Sequence, residues 1–196
     1  MNSTVKNVLC LTCITIVAGF GLGYVYDITK QPIAQMEENT RLAAYRAVFN
    51  DAEQFSEDID GVGGTPVTGF ESVDVDSAVY ALDASGNKIG YVINLTTHEG
   101  YGGDISISLG IDSEGTVRGV EILDISETAG LGMKAKEARF KDQFKNKTVT
   151  QFSYTKTGAT SDFEIDAISG ATITTKAVVN AVNAGLALYN SLGGVR

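Results

Sequence analysis

The residues of this chain best suited to chemistry lie together in Asp166-Ala-Ile-Ser169-Gly170-Ala171-Thr172-Ile-Thr174-Thr175. They form a run of small and hydroxyl-bearing side chains that leads into a long apolar-periodic stretch. In that stretch, Thr175 to Leu192, the residues Val178, Ala181, Val182, Gly185, Leu186 and Tyr189 recur at helical spacing. The spacing predicts a helix with one buried face. Gly170, having no side chain, lets a ligand approach the backbone closely. A helix N-terminus presents free N–H groups and a partial positive charge, a setting that stabilises a phosphate. Thr172 offers a hydroxyl to that phosphate, and Lys176 stands near enough in sequence to add charge. Without a further signal, the plainer account is a capped helix with Thr174 or Thr175 as the cap and no ligand.

The elements that must carry this loop are mostly strands. Val79 to Leu82 runs into the turn Asp83-Ala-Ser-Gly86, and Lys88 to Thr97 follows, rich in Ile, Val, Tyr and Thr. Ile105 to Ile111 alternates apolar and polar, so one face is buried. Asp112-Ser-Glu-Gly115 is a second turn, and Val117 to Ile125 is the next strand. Met133 to Phe144 reads as a charged helix, and Glu53 to Gly64 as an acidic loop. The fold class is therefore α+β, a mixed and largely antiparallel sheet flanked by helices.

Ahead of the domain, Asn7 to Tyr26 carries no charged residue. At about 20 residues it has the length of a bilayer-spanning helix. Lys6 precedes it and Asp27 follows, a bias that puts the N-terminus in the cytoplasm and the rest outside. Gln31 to about Asn50 reads as a helical stalk with Pro32 in its first turn. The expected division is an anchor over 1–28, a stalk and loop over 29–64, and an extracytoplasmic domain over 65–196. Cys10 and Cys13 both lie in the anchor, where they are small packing groups or, less simply, a redox pair. The rest of the chain has no cysteine, and His98 is the single histidine, so neither disulfides nor a Cys/His zinc site enter the domain. A formal charge of −9 without a basic footprint argues against nucleic-acid binding. No Gly-x-Gly-x-x-Gly stands between a strand and a helix, so nicotinamide binding is not expected here.

The run Asp166-x-x-Ser169-Gly170-Ala171-Thr172 resembles the flavinylation motif of FMN-binding domains. In that family a dedicated flavin transferase links FMN through a phosphoester to the last threonine, which corresponds to Thr172. The resemblance makes Ser169, Gly170 and Ala171 part of the cofactor site and Asp166 a recognition residue for the transferase. Thr157-Gly-Ala-Thr160 repeats the core of the motif, but Tyr154 stands where Asp166 stands in the full match. Gly100-Tyr101-Gly102-Gly103 and Glu127-Thr128-Ala129-Gly130-Leu131-Gly132-Met133-Lys134 resemble two further loops of the RnfG and NqrC subunits of bacterial redox-driven ion pumps. Ala129 departs from a proline often found there. The resemblance implies that Thr128 and Leu131 contact the isoalloxazine, that Glu127 orders the loop and that Tyr101 packs nearby.

The similarity covers nearly the whole chain, and its compact length and continuous second loop look more like RnfG. It implies a membrane-bound electron carrier among the other Rnf subunits, in a complex that couples electron flow between ferredoxin and NAD to Na⁺ or H⁺ movement. An NqrC-type subunit, a free-standing anchored flavoprotein and a binding module without flavin are the competing readings.

Overall fold

The computed structural model describes residues 3–193. It divides into two compact units, residues 1–41 and 42–196. The first is helix α1, Ser3–Val48, whose last turns belong to the second unit. Among the described residues this is the one helix long and apolar enough to cross a membrane. The stalk does not begin afresh at Pro32: α1 runs through that proline without a break. An interior proline removes one backbone hydrogen bond and costs about 3 kcal/mol, which the many other bonds of so long a helix offset.

The second unit is built on an antiparallel sheet in the order β1-β2-β3-β4-β5. Its strands are β1 Gln54–Phe55, β2 Val73–Leu82, β3 Lys88–Thr97, β4 Ile105–Asp112 and β5 Val117–Ile125. The two predicted Asp-x-x-Gly turns close their hairpins by one device. Asp83 Oδ1 accepts the Ser85 and Asn87 N–H groups, both at 2.8 Å. Asp112 Oδ1 accepts those of Glu114 at 3.0 Å and Thr116 at 2.9 Å. Gly86 and Gly115 then take positive φ, 81° and 83°, which glycine does without strain.

Each face of the sheet buries a different helix. Helix α3, Thr172–Ser191, lies on one face, with Val178, Ala181 and Val182 fully enclosed. Gly185 brings it close: a Cβ there would meet Leu109 Cδ2 at 2.4 Å. The end of α1 lies on the other face, where Tyr45, Val48 and Phe49 pack on Val79, Ala81 and Val92. The sheet receives it over Gly90, Gly110 and Gly119, one from each of β3, β4 and β5. Beneath it, Asn94 Nδ2 donates to Tyr45 Oη at 2.6 Å and to Ser77 Oγ at 2.9 Å, and Ser108 Oγ donates to Asn94 Oδ1 at 2.5 Å. Because a Cβ on Gly110 would sit 2.7 Å from the Val48 carbonyl oxygen, Gly110→Val should cost at least about 1–3 kcal/mol of unfolding free energy. Urea unfolding checks this, and an unchanged midpoint would mean the end of α1 is not seated as described.

The stretch read as one charged helix, Met133 to Phe144, is instead three short pieces. A 3-10 turn at Gly132–Lys136, helix α2 at Ala138–Lys141 and a second 3-10 turn at Asp142–Phe144 follow one another. The break comes where Glu137 turns extended, with φ −73° and ψ 142°. That turn lets Ala135, Phe140 and Phe144 all reach the core, which one straight short helix would not. Two short parallel strands, β6 Ser153–Thr155 and β7 Glu164–Asp166, precede α3. Neither these nor β1 carries enough apolar alternation to be read from sequence.

Candidate functional site

Helix α3 begins at Thr172, three residues before the periodic stretch suggests. Its N-cap position is Ala171, which makes no side-chain cap. Neither Thr174 nor Thr175 is the cap. Thr175 is fully buried and its hydroxyl accepts the Ile168 N–H at 3.0 Å while donating to the Ala171 carbonyl at 2.9 Å. The hydroxyl thus ties the preceding loop onto the first helical turn. Thr175 N–H closes on the Ala171 carbonyl at 3.0 Å, leaving those of Thr172, Ile173 and Thr174 with no carbonyl inside the helix. Gly170 turns the chain into this start with φ +77°.

That helix start opens into a cleft of about 640 Å³ lined by Tyr101, Glu127, Thr128, Leu131, Gly132 and residues 170–174. Three loops meet there, and Glu127 joins two of them. It is buried, and its Oε1 accepts the Tyr101 N–H at 2.7 Å and the Gly102 N–H at 3.2 Å. Gly102 makes the approach possible, since a Cβ would fall 2.3 Å from the Ser126 carbonyl oxygen. Gly132 does the same toward the helix, where a Cβ would meet Glu127 Oε2 at 2.6 Å and Thr174 Oγ1 at 2.7 Å. The loop that holds Leu131 turns on Gly130, φ +76°, with the Thr128 carbonyl accepting from the Leu131 N–H at 3.1 Å.

Tyr101, Leu131 and Ile173 stand exposed around the mouth, at 71%, 41% and 52%. Large apolar side chains left open around a cleft are groups a planar apolar ligand would cover. The residues fit FMN: free N–H donors suit its phosphate end, and the rim suits its ring.

Tyr101, Glu127, Thr128, Leu131, Gly170, Ala171 and Thr172 are therefore brought together. Ser169 and Asp166 are not in this cleft. They line an adjoining groove with Lys134, Arg139 and Gln143. Asp166 is exposed, but its Oδ1 accepts the Ala159 N–H at 2.5 Å, and its own N–H donates to Gln143 Oε1 at 2.6 Å. The repeated Thr157–Thr160 segment thus leans on the carboxylate of the full motif. Thr160 lines a third groove, where its N–H and its hydroxyl both donate to Glu164 Oε2, at 2.8 and 2.9 Å. Those two bonds hold the Glu164 carboxyl below the ordinary range. Lys176 is engaged elsewhere, 3.4 Å from Glu99 Oε1, and does not line the cleft. Ile173, Thr174 and Gly132 complete the lining. Their only sequence signal was position beside the motif and the Gly130-x-Gly132 spacing.

The Tyr101 loop is pinned at both ends. Burial pushes the Glu99 carboxyl up, but the Asn180 amide at 2.5 Å and Lys176 outweigh it and hold it below the ordinary value. His98 bridges Asp74 at 3.0 Å and Asp104 at 2.8 Å. The hydrogen bonds to Asp74, then Asp104, raise its pKa above the ordinary histidine value. A raised folded pKa adds stability that is complete below the unfolded value and fades as pH rises through the folded one. His98→Gln should therefore lower the thermal midpoint more at about pH 5.5 than at about pH 8.5. An equal loss at both would mean the bridge does not form.

An FMN-binding domain model matches residues 100–187. The chain is 30% identical over 190 residues to the RnfG-type subunit of the Na(+)-translocating ferredoxin:NAD(+) oxidoreductase complex of Acetobacterium woodii, covering 94% of this chain and 90% of that one. It is 32% identical over 183 residues to the corresponding subunit of the ion-translocating oxidoreductase complex of Methanosarcina acetivorans, covering 91% and 90%. Among solved structures it is similar in fold to Shewanella oneidensis NqrC, with a TM-score of 0.53 at 18% identity over 74% of this chain and 73% of that one. With its apolar N-terminal helix the protein is membrane-anchored. An FMN-binding domain behind that anchor, and identity of 30% or more along almost the full length of such relatives, place this chain in the RnfG family of ion-translocating oxidoreductase subunits.

Proposed function

We propose that this protein is the electron-carrying subunit of a membrane-bound ferredoxin:NAD oxidoreductase that drives Na⁺ or H⁺ translocation, with FMN held by a phosphoester to Thr172. The single observation behind it is the uncapped start of α3, where the Thr172 hydroxyl and three free N–H groups open into an apolar-rimmed cleft. Bound FMN would supply the electron chemistry. The helix start would hold its phosphate, while Tyr101, Thr128 and Leu131 would flank its ring. Glu127, occupied by two backbone donors, would keep the two loops at the spacing the ring needs. A flavin transferase would install the group, reading Asp166 and the Ser169–Thr172 loop from the adjoining exposed groove. The anchor over 1–28, the stalk over 29–64 and the domain over 65–196 would place the flavin outside the cytoplasm, with the other subunits of the complex beside it.

The test is purification from native membranes through a tag on the chain. The expected result is a set of copurifying subunits, with flavin that NADH or reduced ferredoxin reduces only in the assembled complex. A flavinylated chain that copurifies with nothing would leave a free-standing carrier, and one with quinone-reductase partners would leave the NqrC-type role.

A further inference from the structure

The basic residues of this acidic protein are not spread evenly. Lys134, Lys136, Arg139, Lys141, Lys145 and Lys147 put six of its 15 cations into one stretch, against only Glu137 and Asp142. The fold neutralises some of them. Lys141 pairs with Glu121 at 2.6 Å, and Lys147 pairs with Asp162. Lys134, Lys136 and Arg139 are exposed or half-buried and make no ion pair among the described residues. They sit on the 3-10 turn and α2, directly after Leu131 and Gly132 of the cleft. Lys134 and Arg139 line the groove that shares the Ser169–Gly170 loop with that cleft. Leu131 forms the wall between the two, its Cδ2 3.0 Å from where a Gly170 Cβ would be. Three unspent cations thus border the opening, in a chain whose formal charge is −9.

We infer that Lys134, Lys136 and Arg139 form a docking ridge for an acidic surface of the protein that exchanges electrons with this one. The inference rests on the proposed flavin reading. Charge complementarity identifies the chemistry of the partner, and position identifies its purpose. A ridge that begins a few residues from the cleft wall brings a complementary surface to the cleft mouth, while the −9 chain repels the same surface elsewhere. An anionic lipid surface satisfies the charge, but it has no electron to exchange and no reason to lie at this opening.

The experiment uses the complex in its native membranes at low ionic strength and a zero-length carbodiimide, which joins lysine amines to carboxylates in contact. Crosslinks from Lys134 or Lys136 to an Asp or Glu of another polypeptide, found by mass spectrometry, are the expected result. The triple variant Lys134→Gln, Lys136→Gln, Arg139→Gln should lose them and slow flavin reduction by about 10-fold or more, with the gap closing near 0.5 M salt. Flavin content, read by fluorescence on a denaturing gel, should be unchanged. Absence of crosslinks, with Lys134 and Lys136 acetylated equally in the complex and in the isolated full chain, would overturn the ridge. So would protection of those amines by phosphatidylglycerol vesicles alone, which would assign the ridge to lipid. A gel without flavin would instead overturn the proposed function, whichever way the crosslinks read.

Discussion

Thr172→Val should yield a folded chain with no covalent flavin. Valine matches threonine in shape and removes only the hydroxyl oxygen that a phosphoester requires. Thr172 is half-buried at the first helical position and its side chain caps nothing, so the stability cost should stay within about 0.5 kcal/mol. The loss of flavin should be complete, because no other hydroxyl lies in the same place. Thr174 is 1% exposed and Thr175 is fully buried with its hydroxyl already used. Thr160 has the same two preceding residue types, Gly and Ala, but lies in another groove, with both its donors on Glu164. Thr160→Val should therefore keep full flavin. The measurement is ultraviolet fluorescence of the denatured band from a host that also expresses a flavin transferase, with intact mass alongside. Fluorescence kept in Thr172→Val and lost in Thr160→Val would move the attachment to the second segment. A dark wild-type band beside a labelled control protein would leave the binding-module reading.

Glu127→Ala should be the most damaging change among the cleft residues that carry no flavin bond. Its carboxylate is 8% exposed and accepts two backbone N–H groups from the facing loop. Removing the acceptor leaves two donors in a partly enclosed place, at about 1–3 kcal/mol each. A total loss of about 2–4 kcal/mol in urea unfolding is expected. Faster amide exchange should follow at Tyr101 and Gly102, and flavin content should fall because the cleft loses one wall. Glu127→Gln keeps an oxygen for the same donors and should recover most of the stability. If the alanine variant unfolds with the wild-type midpoint and exchanges no faster, the carboxylate does not hold these loops together.

Two departures of the fold from the local sequence pattern share a cause. Apolar periodicity starts a helix at Thr175, yet α3 begins at Thr172. Its first turn is stabilised by hydrogen bonds from the buried Thr175 hydroxyl, and such bonds leave no periodic trace. Likewise Met133 to Phe144 has helical spacing, but burying Ala135, Phe140 and Phe144 together required a break at Glu137. Lys176 looks available to a phosphate on sequence distance, and the Tyr101 loop claims it through Glu99. In each case a partner far along the chain, or the core itself, outweighed the local pattern.

Local physics was enough for the membrane helix, the four long strands and their two Asp-x-x-Gly turns. Apolar length, alternation and turn chemistry are properties of neighbouring residues, so they are written where they act. The motif ending at Thr172 was equally legible, because the hydroxyl proposed to form its bond stands within it. What the sequence could not contain was the cleft. Gly100–Gly103, Glu127–Gly132 and Gly170–Thr174 are separated by tens of residues. They meet only because β4 and β5 run back antiparallel and α3 crosses the sheet against them. The separation of Thr172 from Thr160 was likewise decided in three dimensions: one Thr opens onto a bare helix start, and the other is bound to Glu164.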